Sequence, residues 1–247
     1  MVQLLGKDPA VVDDRTLQLG KYLTAALPTP PAAADYRSKV PSWPMYLNDQ
    51  YGDCTCAAAA HMIEVWKAWG QGPVSEPTDA DVLKFYEHFT TPGPENGCNM
   101  LAVLKYWRSS GLGADKIFAF ATVEPKNQTE ASDAVDLFGG LYIGVALPNF
   151  AVQAADLLQV PWVVPSTGPV GDAAPNPQNG HCIPAVAYDA DNLYVVTWGA
   201  VKPMSWPFYL AYADEAYAVL DLDFLDATGK VPAGLDLDQL KADLALI

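Results

Sequence analysis

The chain has 247 residues, which is enough for one large domain with a buried core. Its formal net charge is −15, because 29 Asp and Glu residues outnumber 14 Lys and Arg residues, and such a surplus repels phosphate backbones. Nucleic acid and anionic membranes are therefore not expected as partners, and a content of 51% apolar residues is too high for a disordered polymer.

The first 34 residues predict an arm rather than a separate domain. Pro28, Pro30 and Pro31 forbid regular helix and central strand, so residues 1–34 are expected to lie along the domain. The opening stretch MVQLLGKDPAVVDDRT lacks the basic start, continuous apolar centre and small-residue cleavage site of a secretory signal. A cytoplasmic location is the default expectation, and the short, interrupted apolar runs predict no bilayer span.

Three helices are predicted in the first half of the chain. The first follows Asp53, a residue type with a capping side chain, and runs through DCTCAAAAHMIEVWKAW with Cys54 at its start. Thr78–His88 and Asn99–Ser110 repeat the helical spacing of apolar residues. This half is therefore expected to be mostly helical.

The second half has the character of a sheet. After Gly113, short runs rich in β-branched and aromatic residues are separated by Gly, Pro, Asn and Asp. The runs are, in chain order, KIFAFATVE, GLYIGVALP, WVVP, HCIPAVAYD, LYVVTW and EAYAVLDLD. A helical stretch at Glu130–Phe138 interrupts them, and LDLDQLKADLALI predicts a surface helix. Helices first and strands later favour an α+β fold.

One cysteine and one histidine stand where chemistry is possible. Cys54 begins a predicted helix, where outward-pointing backbone N–H groups lower the pKa of a thiol. His181 follows Gly180 and opens an apolar strand, a position from which a general base can face a cleft. His61 and His88 lie within predicted helices, and His61 is interpreted as a structural helix residue, with a place in the lining of the cleft as the alternative. Cys54 and His181 are far apart in sequence, as the members of catalytic Cys–His pairs usually are.

No metal or organic cofactor is expected. Cys54 and Cys56 form a CxC pair without a second pair or histidines at zinc-ligand spacing. The acidic pairs Asp221 with Asp223 and Asp236 with Asp238 lack the pattern of a calcium loop and are interpreted as solvated faces and helix caps. The remaining cysteines are interpreted as packing residues, namely Cys56, Cys98 and Cys182.

Several segments together resemble the papain-like cysteine peptidases. PAAADYRSKV followed by LNDQYGDCTCAAAAHMIE is similar to the family's mature start and nucleophile helix. FGGLYIGVALP resembles its strand beside the cleft, and NGHCIPAVAYDADNLYVVTWG resembles its histidine strand and Asn-Ser-Trp-Gly strand. These segments cover roughly Pro31 to Gly199 in the family's order.

The resemblance implies a papain-like α+β domain over residues 35–225. Its helical half would span about 35–112, and its twisted antiparallel sheet about 113–225, with the active-site groove between the two halves. The segment 226–247 would follow with its surface helix.

The family's nucleophile could correspond to Cys54 or to Cys56. Cys54 lies 19 residues after Asp35 and 10 residues before Glu64, and both intervals are as in the family. Cys56 misses both intervals by two residues, so it is the second choice. The resemblance therefore assigns the nucleophile to Cys54.

The same correspondence assigns the other site residues. The family's oxyanion-hole amide lies six residues before the nucleophile, which is Asn48 for Cys54 and Gln50 for the second choice. His181 corresponds to the base. The orienting asparagine would fall sixteen residues later, where Thr197 stands and could accept a hydrogen bond from the imidazole, with Trp198 shielding the pair.

Two classes of function remain open at this point, because a lytic enzyme that cuts peptidoglycan peptides would differ from the first class by its substrate alone. The resemblance implies a cysteine hydrolase, a peptidase or related acyl-transfer enzyme, that acts on peptide or protein substrates. The alternative is a catalytically inactive papain-fold protein that binds a protein partner in an assembly, including a phage virion. The threonine at position 197 favours this alternative, as does Asp53, whose negative charge would oppose a thiolate at Cys54.

Overall fold

A computed structural model describes residues 4–70, 76–153, 160–229 and 234–245. The helices are α1 (Cys54–Trp69), α2 (Asp79–Glu87), α3 (Met100–Ser109), α4 (Gln128–Phe138), α5 (Asn149–Gln153), α6 (Trp206–Tyr212), α7 (Leu222–Thr228) and α8 (Leu237–Leu244). The strands are β1 (Ala34–Asp35), β2 (Ala119–Thr122), β3 (Leu141–Ala146), β4 (Gly180–Tyr188), β5 (Asn192–Thr197), β6 (Ala200–Ser205) and β7 (Ala213–Leu220).

Side-chain caps set the starts of two predicted helices. Thr78 and Asp81 form a reciprocal capping box at the start of α2, and Asn99 accepts a hydrogen bond from the N–H of Ala102 at the start of α3. The first predicted helix also begins where expected, but the Asp53 side chain makes no capping bond to α1. The prediction of a side-chain cap is therefore wrong at this helix, and the Asp53 side chain instead accepts a hydrogen bond from the Asn48 amide.

Within the described ranges, seven strands form one antiparallel sheet. Its order is β2-β7-β3-β4-β5-β6, and β1 pairs with β4 outside this path. The helices α1 to α3 precede these six strands in the chain, which confirms the α+β class. β6 and α6 were not predicted, and WVVP contributes only an isolated bridge at Trp162. The last predicted strand ends at Leu220, because Asp221 caps α7.

Helix α1 packs against the central strand β4, and this contact positions the site. The four alanines Ala57–Ala60 are all buried, so small side chains let the helix approach the sheet closely. Further along α1, the Trp66 indole donates a hydrogen bond of 2.8 Å to the carbonyl oxygen of Phe138 at the end of α4. This bond holds the last turns of α1 beside the end of α4.

Irregular segments bind to one end of each edge strand of the sheet. At the β2 edge, the N–H of Thr122 donates to the carbonyl oxygen of Leu17 at 2.7 Å. At the β6 edge, Trp162 exchanges backbone hydrogen bonds of 2.9 Å with Pro203 and Ser205. Pro203 lacks an N–H group and is tolerated because β6 is an edge strand.

The described part of the chain contains no helix that is both long and apolar enough to cross a lipid bilayer. In the segment 226–247, α8 supplies the predicted helix and buries Leu240 and Leu244 against the core.

Candidate active site

The structure brings Cys54 beside the strand that carries His181. Cys54 is the first residue of α1, and its Sγ accepts a hydrogen bond of 3.4 Å from the backbone N–H of Cys182. Cys182 directly follows His181 in β4. The Cys54 residue is 2% exposed and His181 is 1% exposed, so both candidate groups lie beneath the surface.

Two neighbours hold the imidazole of His181. Its Nε2 lies 2.8 Å from the Oγ1 of Thr197, at the end of β5. Its ring stacks on the indole of Trp198, with 4.6 Å between ring centroids and an angle of 16° between the planes. The buried Nδ1 has no hydrogen-bond partner among the described residues. Of the two ring nitrogens, only Nε2 is therefore engaged by a described residue.

A tight hairpin turn places Thr197 and Trp198. Thr197 pairs with Ala200 across β5 and β6, and Trp198 and Gly199 form the two-residue loop with φ values of 47° and 72°. Two left-handed residues match the twist of a hairpin, although the conformation is unfavourable for tryptophan. The strain at Trp198 is offset by its stacking on His181 and by its Nε1–H, which donates to the carbonyl oxygen of Leu4 at 2.8 Å.

Asn48 is buried beside α1, but its amide is engaged by its own loop. Nδ2 donates to the carbonyl oxygen of Tyr51 at 3.2 Å and to Oδ1 of Asp53 at 3.1 Å. The loop turns sharply here, since Leu47 has a left-handed φ of 68°. The role of Asn48 as an oxyanion donor stays a prediction, and the second-choice Gln50 lies exposed on the surface.

The second-choice cysteine has the surroundings of a packing residue. Cys56 is fully buried, and its Sγ lies 3.8 Å from Oγ1 of Thr55. All four cysteines are free and buried, including Cys98 and Cys182.

Burial keeps the candidate pair neutral in this closed structure. It raises the pKa of the Cys54 thiol well above its ordinary value and lowers the pKa of His181 to about 3. Burial also raises the pKa of Asp53 to about 8, so this carboxyl group is mainly protonated at neutral pH. The negative charge expected beside the thiol is therefore largely absent under those conditions.

Residues Leu4–Asp8, here called the strap, cross the site from the sheet side. The N–H groups of Gly6 and Lys7 both donate to the carbonyl oxygen of Gly180, at 3.2 and 3.1 Å. Gly180 directly precedes His181 in β4. The Trp198 indole, which stacks on the imidazole, also donates to the carbonyl oxygen of Leu4. The strap is thereby bound both to the residue before His181 and to the residue stacked on its ring.

The strap is also bound on the helix side. The N–H of Leu4 donates to the backbone carbonyl of Asn48 at 3.3 Å. Cys98 N–H donates to the carbonyl oxygen of Gly6 at 2.9 Å, and the N–H of Asp8 donates to the carbonyl oxygen of Cys98 at 3.1 Å. These residues could not be predicted as part of the site, because a short segment without periodicity gives no signal of where it docks.

The described residues hold no group of three or more His, Cys, Asp or Glu side chains suited to a metal ion.

Comparisons with known sequences identify no relative. No protein-family model matches the chain, and no curated protein matches it either.

Comparisons with solved structures give a different result. Xylellain, a cysteine protease from Xylella fastidiosa, superposes with a TM-score of 0.64 at 14% identity, covering 88% of this chain and 96% of its own. The Carica candamarcensis cysteine protease CMS1MS2 gives a TM-score of 0.53 at 16% identity, with 77% and 99% covered. Digestive procathepsin L 3 of the Tenebrio molitor larval midgut gives 0.58 at 13% identity, with 86% and 76% covered. The chain therefore has the fold of the papain-like cysteine proteases.

Proposed function

We propose that this protein is a cysteine hydrolase of the papain-like type, acting on peptide or protein substrates with Cys54 as nucleophile and His181 as general base. One observation carries the proposal. The Cys54 sulfur sits 3.4 Å from the N–H of the residue after His181, whose Nε2 is held by Thr197 while its Nδ1 has no partner among the described residues.

The proposed reaction passes through an acyl-enzyme. Cys54 Sγ bonds to the carbonyl carbon of the substrate amide, and its proton moves to Nδ1 of His181. His181 then gives this proton to the leaving amine as the C–N bond breaks, which leaves a thioester on Cys54. His181 next takes a proton from water, whose oxygen attacks the thioester, and returning that proton to the sulfur releases the acid.

Thr197 is a positioning residue in this scheme. Its hydroxyl lies 2.8 Å from Nε2 of His181 and fixes which ring nitrogen faces away from the sulfur. Trp198 covers one face of the ring and limits its rotation. A single hydroxyl thus does the work that the papain-like family assigns to an asparagine at the corresponding position.

The oxyanion would be held by the Cys54 backbone N–H and the Asn48 amide. Because the Asn48 amide donates to Tyr51 and Asp53 in the closed structure, one of these bonds must be exchanged for a bond to the oxyanion. Protonated Asp53 is a weaker acceptor than a carboxylate, which makes this exchange easier at neutral pH.

The second candidate function is a protein that binds a partner without catalysis. It is favoured by the burial of both reactive groups, since Cys54 is 2% exposed and burial lowers the pKa of His181 to about 3. A place in an assembly, such as a virion, would suit this function, and a cytoplasmic or virion location stays a prediction.

Peptide hydrolysis separates the two candidates. The assay incubates a peptide mixture with the full chain and with Gly6→Ala, and mass spectrometry identifies the cleaved bonds. A Cβ on Gly6 would collide with the carbonyl oxygen of Gly52, so this substitution is expected to displace the strap. Cleavage should be much faster with Gly6→Ala, vanish when Cys54→Ala is added, and persist with Cys56→Ala.

A parallel reaction with iodoacetamide shows whether the site is open. In Gly6→Ala, alkylation mapped to Cys54 should exceed that in the unaltered chain, and the other buried cysteines should react slowly. Rapid alkylation of Cys54 without peptide cleavage would contradict the hydrolase and favour the binding protein.

A further inference from the structure

The strap lies in the groove as an extended peptide ligand would. Lys7 forms a parallel bridge with Cys98, and both its own N–H and that of Gly6 donate to Gly180 on the opposite wall. Backbone groups of both walls are thus used to bind backbone groups of the strap. Such contacts recognise a polypeptide whatever its side chains are.

The side chain of Lys7 enters an acidic pocket beside this backbone site. Its Nζ lies 3.1 Å from Oε1 of Glu215, 3.0 Å from Oδ2 of Asp214 and 3.2 Å from the carbonyl oxygen of Asp8. The Lys7 side chain is 1% exposed and that of Glu215 is 8% exposed. A buried ammonium group is therefore met by a buried carboxylate and by a second one near the surface.

The pocket is shaped for a long basic side chain. Glu215 is held in place because its Oε2 accepts a hydrogen bond of 3.0 Å from the Tyr217 hydroxyl. Gly144 forms one wall, where a Cβ would lie 2.8 Å from both Cδ of Lys7 and Sδ of Met100. Because glycine has no side chain, this wall leaves room for the hydrocarbon stem of Lys7.

We propose that the groove beside Cys54 binds extended basic polypeptides, that Glu215 selects a lysine side chain in them, and that the strap occupies this site as the chain's own ligand. Cleavage of such polypeptides rests on the proposed function, whereas their binding does not. The formal net charge of −15 supports the choice, since an acidic protein attracts basic peptides over long range.

Gly6 adds a second element to the recognised sequence. A Cβ at this position would collide with the carbonyl oxygen of Gly52, so a ligand bound in the direction of the strap requires glycine immediately before its lysine. The predicted ligand is therefore an extended peptide that contains the pair Gly-Lys.

Peptide binding to the opened full chain tests the proposal. The probe is a fluorescently labelled peptide with the sequence Leu-Leu-Gly-Lys-Asp-Pro of residues 4–9, and its anisotropy is measured with the Gly6→Ala protein. Replacing the lysine of the peptide by uncharged norleucine should weaken binding by about 30-fold or more, as for loss of one partner of a buried ion pair. Replacing its glycine by alanine should abolish binding.

Substitutions in the pocket supply the reciprocal measurement. Glu215→Gln, added to Gly6→Ala, should remove most of the preference for lysine over norleucine, because its amide carries no charge. Asp214→Asn should reduce the preference less, since the Asp214 side chain is 35% exposed and its charge is screened by water. If Glu215→Gln does not fold, the comparison of lysine and norleucine peptides on the Gly6→Ala protein still decides the question.

The outcomes separate this inference from the proposed function. Equal binding of lysine and norleucine peptides would overturn the inference, as would a Gly6→Ala protein whose Cys54 is alkylated no faster than in the unaltered chain. Selective binding without any cleavage would leave the inference standing and contradict the hydrolase. Equal cleavage of peptides with and without lysine would support the hydrolase and contradict the inference of a lysine-selective groove.

Discussion

Replacing Thr197 by valine tests how the imidazole of His181 is held. Valine keeps the branched shape of threonine and suits a strand, so packing at the end of β5 should be preserved. The substitution removes only the hydroxyl, which lies 2.8 Å from Nε2 of His181. Both ring nitrogens are then left without a described protein partner in a residue that is 1% exposed.

The expected cost follows from the burial of that nitrogen. A buried polar group left without its hydrogen bond destabilises a protein by about 1–3 kcal/mol. For a chain of this size, each kcal/mol lowers the melting temperature by about 2–4 °C, so a decrease of about 2–12 °C is expected. In the opened Gly6→Ala protein, kcat for peptide hydrolysis should fall with little change in KM, because the ring loses its orientation and the groove does not change.

Thermal unfolding and peptide kinetics measure the two effects, with Thr122→Val as the matched control. Thr122 donates through its hydroxyl to the carbonyl oxygen of Leu17, which also accepts from the backbone N–H of Thr122. That carbonyl stays bonded after the substitution, so the control should cost less. A Thr197→Val protein that is no less stable than Thr122→Val and keeps its kcat would show that the Thr197 hydroxyl does not hold the imidazole.

Three further substitutions probe the residues around the site. Folding raises the pKa of Asp53 from 3.8 to about 8. Between these two pH values the folded chain keeps a proton that the unfolded chain loses. The free energy of unfolding therefore falls as pH rises from about 4 to about 8. Asp53→Asn should make the slope of the unfolding free energy against pH less negative by about 1.4 kcal/mol per pH unit, as measured by urea unfolding at pH 5, 6 and 7. An unchanged slope would contradict the raised pKa of Asp53. Asn48→Ala in the opened protein should lower kcat/KM for peptides about a hundredfold or more, and a near-normal rate would exclude Asn48 from the oxyanion site. Gly199→Ala should lower the melting temperature more than Gly171→Ala. Both glycines have a positive φ, but only at Gly199 would a Cβ press on a neighbour, 3.2 Å from the carbonyl oxygen of Trp43. Equal decreases in melting temperature would show that this contact is unimportant.

Features set by neighbouring residues could be predicted from the sequence. Thr78 and Asn99 mark the starts of α2 and α3, because a cap needs only a side-chain oxygen and the next few N–H groups. The proximity of Cys54 to the strand of His181 is a long-range contact and could be expected only through the family resemblance.

The elements β6 and α6 were missed because their prolines look like breakers. Pro203 is tolerated in an edge strand, and Pro207 stands in the first turn of α6, where its missing N–H costs nothing. Whether a strand lies at an edge depends on the whole sheet, so local sequence does not reveal it. Local sequence does not reveal the ion pair of Lys7 with Glu215 either, because 208 residues separate the two partners.

The segments bound to the edge strands β2 and β6 affect whether two copies of this chain can pair through their sheets. Leu17 is bonded to Thr122 at the end of β2, and Trp162 is bonded to Pro203 and Ser205 at the end of β6, so these parts of the two edges are not free to pair with a neighbouring molecule. Peeling the arm away as far as Leu17 would uncover β2 as a template for intermolecular pairing. We therefore expect a chain whose arm has been displaced to aggregate more readily at high concentration than the intact chain.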